Sequence, residues 1–232
     1  MLRLAPLVLL VACGGSPTTT TTATTPALPP SNHAAAGPPV ALALVFAGGE
    51  VWVGNDDLTP EGDPSRFLGA LKGLEAAVDG ADLVHSLPAG SVGTAIVYVE
   101  SATVRVPMGA IDKLRGAALG TQKDYYYKQG TNLVAGIELA QLELDKTNAT
   151  KKVLIVVGDG NDTDNHTAKA RLATLQPQLA AANTTVFAIM YKGELSDPTN
   201  VITVLAPDAR TVTSVTELPL ALAKVLHDCC KP

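Results

Sequence analysis

The stretch VLIVVGDGND, residues 153–162, sets the fold class, because five consecutive aliphatic residues run directly into a turn of glycine, aspartate and asparagine. A run of this length that is apolar at every position is typical of a strand buried on both faces of a parallel sheet. A second run of the same kind, VALALVF, occupies residues 40–46. The two runs predict central parallel strands of an α/β domain.

Around these strands, helical and extended patterns alternate along the chain. Apolar residues recur on one helical face within 67–78, 133–144, 168–182 and 218–225. Further strands are predicted at 94–99, 103–106, 185–191 and 211–215. Pro177 predicts a kink or a break in the third helix. The fold class is therefore α/β: a doubly wound, mostly parallel, Rossmann-like sheet with helices on both faces and one antiparallel edge strand, formed by the 94–106 hairpin.

The carboxyl ends of parallel strands are where such sheets bind ligands. The loops to search therefore follow Phe46, precede Thr131 and follow Val157. Two of them carry a pattern: Gly130-Thr131-Asn132-Leu133 opens a helix, and Asp159 to Asp162 follows the strand at residues 153–157.

These segments, with the hairpin and the terminal Leu-Pro-x-x-Leu helix, resemble the von Willebrand factor type A family over residues 40–228. The resemblance implies a non-enzymatic binding or adhesion module with a metal-dependent adhesion site for Mg²⁺ or Mn²⁺. Thr131 and Asp159 match two parts of the family's metal motif. The first part, Asp-x-Ser-x-Ser, is missing, because Ala47, Gly49 and Val51 stand at its positions. The resemblance therefore implies a degenerate metal site, and no cofactor is required.

Both matching segments have simpler interpretations. Thr131 could be the N-cap of its helix. Asp159 to Asp162 could be a turn that ends a strand. A calcium loop of the EF-hand type is excluded, since its twelfth position would be Ala170 instead of glutamate.

The N-terminal residues predict a secretory signal followed by a flexible tether. Residues 1–12 have the pattern of a secretory signal, and Leu10-Val11-Ala12-Cys13-Gly14 resembles the lipobox of bacterial lipoproteins, which implies lipidation at Cys13. Residues 13–39 continue as a Thr/Pro-rich segment without Asp, Glu, Lys or Arg, which is expected to stay disordered and to reach roughly 80 Å. The domain is then 40–232. Since Gly14 is not acidic, we expect the outer membrane of a bacterial cell envelope.

Composition and motifs narrow the function classes. With 17 basic and 22 acidic residues, a net charge of −5 and 4% aromatic residues, the 232-residue chain does not resemble a nucleic-acid binder. It contains no nucleophile elbow, phosphate-binding loop or zinc motif. The expected function is a lipid-anchored module that binds an envelope protein. The alternatives are an envelope hydrolase or nucleotide-binding enzyme, and a purely structural lipoprotein.

Two further features concern partners. The loop after the first strand contains Trp52, Asp56 and Asp57, which are candidate partner-binding residues, although Trp52 could instead pack into the core. Cys229 and Cys230 are adjacent at the C-terminus, where either could form a disulfide-linked dimer or belong to a partly oxidised tail.

Overall fold

The computed structural model describes residues 37–48, 72, 75–81, 83–120, 130–191, 200–213 and 215–229. Six strands in this part of the chain form one sheet in the order β3-β2-β1-β4-β5-β6. In chain order they are β1 (Val40–Ala47), β2 (Val92–Tyr98), β3 (Ala102–Ala110), β4 (Lys151–Gly158), β5 (Thr184–Tyr191) and β6 (Arg210–Val212). Only the β2–β3 pair is antiparallel. The predicted sheet with one antiparallel edge strand is confirmed.

Helices cover both faces of the sheet. The four with complete bounds are α1 (Leu83–Ser86), α2 (Leu133–Asp145), α3 (Asn165–Ala181) and α4 (Leu218–Cys229). Residues 75–80 are helical as well. The apolar side chains of α2 and α3 pack on one face, and those of α1 and α4 pack on the other. In the described ranges, no helix is long and apolar enough to cross a membrane.

The central strand β1 is buried along its whole length. Its larger side chains lie on one face of the sheet and its smaller ones on the other. Leu42, Leu44 and Phe46 face the side of α4, whereas the small residues of the strand face α2. Small residues let the helix approach closely. A Cβ on Gly136 of α2 would lie 3.0 Å from the ring of Tyr98 and 3.1 Å from Val45. This close packing brings the N-terminal end of α2 to the end of the central strands.

One of the two alternatives for Pro177, a break in the third helix, is wrong. Helix α3 is continuous from Asn165 to Ala181 and includes Pro177, so the expected break is absent. Pro177 deprives the carbonyl of Ala173 of its usual helical partner. Both residues are exposed, which lets water hydrogen-bond that carbonyl. Packing of Leu172 and Leu179 against the core holds the helix together across the proline.

Candidate functional site at the carboxyl end of the central strands

The candidate site lies where the strand order reverses, between β1 and β4. The register places Phe46 beside Val157, so Ala47 and Gly158 are the last neighbours of the two strands. Doubly wound sheets bind ligands at this kind of reversal. Helix α2 begins at the same edge, because the backbone N–H of Asn132 donates to the carbonyl of Val99, directly after β2. Three chain segments therefore meet at one edge of the sheet.

At Ala47, the first position of the missing family motif, a methyl group packs against β4. A Cβ on Gly158 would lie 2.8 Å from the Cβ of Ala47 and 2.7 Å from the hydroxyl oxygen of Tyr98. The methyl group of Ala47 and the Tyr98 hydroxyl are thus pressed against the backbone of β4. Glycine at position 158 is a steric requirement of this contact.

Tyr98 is a residue that the sequence interpretation missed. Its side chain is completely buried, and its hydroxyl has no hydrogen-bond partner in the described part of the chain. Burial raises the pKa of Tyr98 well above its ordinary value, and the nearby carboxylates of Asp159 and Asp162 raise it further. The hydroxyl is therefore neutral and lies close to two acidic side chains.

Asp159 lies directly after β4 and is partly buried. One of its carboxylate oxygens accepts a hydrogen bond from the backbone N–H of Asn161 at 3.1 Å. Burial raises the pKa of Asp159; hydrogen bonds from Asn161 oppose that shift, and the neighbouring Asp162 adds to it. The turn interpretation of this segment is confirmed by the Asp159–Asn161 hydrogen bond.

Asp162 and Thr163 link the loop after β4 to the start of α2. The carboxylate of Asp162 accepts a hydrogen bond from the backbone N–H of Val134 at 3.2 Å. The hydroxyl of Thr163 accepts from the N–H of Thr131 at 2.7 Å and lies 2.9 Å from its carbonyl oxygen. The backbone N–H of Thr163 donates to that same carbonyl at 2.7 Å. These bonds hold the two loops in one rigid arrangement.

The N-cap of α2 is Asn132, so the N-cap interpretation of Thr131 is wrong. The side-chain oxygen of Asn132 accepts from the N–H of Ala135 at 3.0 Å. Thr131 lies one residue too early for this geometry, since an N-cap side chain bonds the N–H two or three residues later. Its backbone is bonded to Thr163 instead.

Asn200, from a distant part of the chain, packs against Gly160 at the site. Gly160, at φ +77°, accepts from the backbone N–H groups of Val201 and Ile202 at 3.0 and 3.1 Å. A Cβ on Gly160 would lie 3.0 Å from the side-chain amide carbon of Asn200. Asn200 is 4% exposed, and no residue in the described ranges hydrogen-bonds its amide oxygen. The side-chain oxygen of Asn161 is likewise buried and unpartnered.

The structure brings Thr131 and Asp159 to one edge, as the motif spacing predicts. The other proposed site residues, Cys13, Trp52, Asp56, Asp57 and Cys230, lie outside the described residues. Cys229 is 7% exposed, and its thiol donates to the carbonyl of Leu226 at 3.2 Å. A dimer through Cys229 would require that this thiol leave the core.

The described donor atoms fit a divalent metal poorly. Mg²⁺ and Mn²⁺ take about six oxygen ligands at short, fixed distances. Thr131 and Asp159 would supply two side chains, while Ala47 supplies a methyl group where the motif has a carboxylate. Within the ranges that the structure describes, no three His, Cys, Asp or Glu side chains are grouped as metal ligands.

Comparison with known proteins identifies the fold. No protein-family model and no curated protein matches the chain. The vWF domain of the type V pilus tip protein Mfa5 from Porphyromonas gingivalis aligns with a TM-score of 0.56 and 11% identity, over 84% of this chain and 96% of that chain. A von Willebrand factor type A structure from Catenulispora acidiphila aligns with a TM-score of 0.56 and 14% identity, over 83% and 42%. This chain has the von Willebrand factor type A fold.

A third similar structure was solved with an occupied metal motif. Proximal thread matrix protein 1 from the mussel byssus, solved with a zinc-occupied MIDAS motif, aligns with a TM-score of 0.52 and 18% identity, over 83% of this chain and 46% of that chain. The present chain spans less than half the length of the mussel and Catenulispora structures. The likeness confirms the fold on which the sequence resemblance rests.

Replacing Asp159 with asparagine should stabilise the domain at neutral pH by about 1 kcal/mol, because asparagine keeps the acceptor for Asn161 and removes a poorly solvated charge. The pKa of Asp159 is raised in the folded state, so its charge destabilises the fold only at higher pH. The gain should be complete above that raised pKa and should vanish below the ordinary aspartate range. Thermal unfolding over a pH series measures it.

Asp208→Asn is the matched control, because Asp208 is exposed and lies just before β6, at the opposite edge of the sheet. Its melting temperature should stay within about 1 °C of the parent chain. A lower melting temperature for Asp159→Asn at neutral pH would contradict the argument, since it would show that the Asp159 carboxylate makes a favourable interaction in the folded state that asparagine lacks.

Proposed function

We propose that this protein is a lipid-anchored, extracytoplasmic binding module that meets an envelope protein through the edge formed by the carboxyl ends of β1 and β4. We call this surface the strand-end edge; its described residues are Gly48, Gly130–Asn132, Asp159–Thr163 and Asn200. The observation that carries the proposal is a set of buried side-chain oxygens that no described residue hydrogen-bonds: those of Asn161 and Asn200 at this edge and that of Tyr98 beneath it. Native proteins rarely leave such atoms unbonded except where they serve a function.

The position of the predicted tether supports a partner-binding role for the strand-end edge. The Thr/Pro-rich segment precedes Val40, the first residue of β1, whereas the strand-end edge begins after Ala47. The eight residues of β1 separate the two edges by about 26 Å. A lipid on Cys13 would therefore attach the domain to the membrane, which we propose to be the outer membrane, from the edge opposite the strand-end edge.

Cys229, the last residue of α4, lies at the opposite, tether-proximal edge. Arg210, the first residue of β6, forms an ion pair with Asp228 near the end of α4. Helix α4 therefore ends beside the beginning of β6. A disulfide-linked dimer through Cys230 would join two copies near their tethers and leave both strand-end edges accessible.

The fold relatives support a binding role in place of catalysis. The pilus tip protein Mfa5 carries this fold at the tip of a bacterial surface fibre. We propose that the present chain likewise presents a binding domain on the outside of the cell envelope, and that it is not an enzyme.

Photo-crosslinking in intact cells tests the proposal. A benzophenone side chain at position 166 reports on the strand-end edge, because His166 is exposed in the first turn of α3. The same side chain at position 148 is the matched control, because Asn148 is exposed just before β4, at the opposite edge. We expect one discrete protein adduct from position 166 and none from position 148. Equal labelling from both positions would contradict the proposal.

Two variants refine this experiment. Cys13→Ala should release the protein from the membrane fraction, because the acyl chains would be lost. Trp52→Ala should abolish the adduct at position 166 and leave the melting temperature nearly unchanged if Trp52 is a contact residue. A large loss of thermal stability would instead place Trp52 in the core.

A further inference from the structure

We propose that the strand-end edge binds a lysine side chain of the partner protein, with the ammonium group held by the Asp159 carboxylate and by the side-chain oxygens of Asn161 and Asn200. This inference rests on the proposed function and specifies the chemistry of the partner. It replaces the metal and the acidic ligand that the fold family implies with a single organic cation.

The first argument is uncompensated charge. The carboxylate of Asp162 lies close enough to raise the pKa of Asp159, and both carboxylates raise that of Tyr98. Among the described residues, no lysine, arginine or histidine forms an ion pair with either aspartate. Partly buried carboxylates are normally paired with a cation. The site therefore attracts a positive charge that the described chain does not supply.

The second argument is the set of unpartnered side-chain oxygens close to Asp159 along the chain or across the fold. Among the described residues, the side-chain oxygens of Asn161 and Asn200 are buried and without a partner, and that of Asn200 lies beside Gly160, the residue between Asp159 and Asn161. The Tyr98 hydroxyl, fully buried beside Gly158, is a further unpartnered oxygen. An ammonium group is a compact donor of three hydrogen bonds and accepts none. A carboxylate with separate neutral oxygens around it matches that donor set.

The third argument concerns why the site suits an ammonium group better than a divalent metal ion. Divalent magnesium or manganese requires about six oxygens in near-ideal geometry. The Ala47 methyl group stands against β4 where the family motif has its first carboxylate. An ammonium group tolerates that gap, because it needs only about three acceptors and its position can adjust on a flexible stem.

Sequence charge favours a basic partner over an acidic one. The chain leaves β1 through Gly48, at this edge, and residues 49–65 then contain five acidic side chains and no lysine or arginine. The whole chain carries a net charge of −5. Such a field accelerates the approach of a basic protein surface and repels an acidic one.

The test uses the full chain and a small probe, Nα-acetyl-lysine methylamide, followed by NMR shifts of the amides of residues 159–162. Saturable shifts are expected with the lysine probe. The probe whose ε-amine is also acetylated keeps the stem but lacks the charge, so it should bind at least about tenfold more weakly. Equal shifts with the two probes would overturn the proposal.

Variants of the chain assign the site. Asp159→Asn should weaken binding of the lysine probe by about tenfold or more while the melting temperature is kept or raised, which separates lost binding from lost folding. Asp208→Asn should bind the probe as the parent chain does. If Asp159→Asn and the parent chain bind the probe equally, the proposal is wrong.

Competing cations are tested in the same experiment. Saturable binding of Mg²⁺ that displaces the probe would overturn the proposal in favour of a metal. Spermidine binding far more tightly than the probe would overturn it in favour of a free polyamine. Lys192 follows β5 in sequence and lies outside the described residues; a strong gain in probe binding by Lys192→Gln would show that the chain's own lysine fills the site.

The crosslinking experiment separates this inference from the proposed function. The adduct at position 166 should be lost from the Asp159→Asn chain. An adduct that persists in that variant would leave the proposed function standing and overturn the lysine site. Absence of the adduct from the parent chain would overturn the proposed function and with it the assignment of a protein-borne lysine, even where the small probe binds.

Discussion

Gly158→Ala should lower the free energy of unfolding by about 3 kcal/mol, which corresponds to a fall in melting temperature of about 6–12 °C for a domain of this size. The new methyl carbon would lie 2.7 Å from the Tyr98 hydroxyl oxygen and 2.8 Å from the Ala47 Cβ. Neither neighbour can move away easily, because both are buried on strands of the same sheet. Thermal and denaturant unfolding measure the loss.

Gly80→Ala is the matched control, because the same substitution there would bring the new methyl carbon only to 3.4 Å from Pro219, an ordinary contact. Gly80 is exposed and helical, so alanine should be neutral or slightly stabilising. Adding Tyr98→Phe to Gly158→Ala removes one of the two clashing atoms and should restore part of the loss. If the double variant is no more stable than Gly158→Ala alone, contact with the Tyr98 hydroxyl is not the cause.

Ala47→Asp should destabilise the domain by about 3–5 kcal/mol at neutral pH, although it restores the first residue of the family's metal motif. Ala47 is 1% exposed and packs against Gly158, directly before Asp159. A new carboxylate there would be desolvated next to two existing carboxylates, those of Asp159 and Asp162. The melting temperature should fall steeply between acid and neutral pH.

Ala47→Asn has nearly the same volume without the charge, so it should cost clearly less than Ala47→Asp at neutral pH and show little pH dependence. We expect Mn²⁺ not to restore the stability of Ala47→Asp, because Gly49 and Val51 stand at the two serine positions of the motif. Recovery in Mn²⁺ would show that the remaining oxygens can hold a metal after all.

Stability and function oppose each other at Asp159. The charge that is expected to destabilise the free domain is the charge proposed to bind the partner's ammonium group. Binding residues are commonly retained at the expense of stability. The stabilising effect of Asp159→Asn and its loss of probe binding are therefore two results of one cause.

Local sequence patterns were sufficient to predict which segments form strands and helices, but not where each helix begins or whether it is interrupted. The continuous apolar runs at 40–46 and 153–157 correspond to β1 and β4, since burial on both faces leaves no polar position. The break at Pro177 was wrong because packing of Leu172 and Leu179 outweighs one missing helical hydrogen bond. The N-cap is Asn132 instead of the predicted Thr131, because hydrogen bonds to Thr163 fix the backbone of Thr131 before the helix begins.

The sequence by itself determined the alternation of strands and helices, and thereby the edge of the sheet where a site would lie. It also placed Thr131 and Asp159 at that edge. Only the tertiary structure showed that Tyr98 from β2, Asn161 after β4 and Asn200 after β5 have side-chain oxygens there that no described residue hydrogen-bonds. The physical reason is that hydrophobic periodicity is a local property of the chain. Burial and charge compensation depend on residues that are distant in sequence and become neighbours only when the sheet has formed.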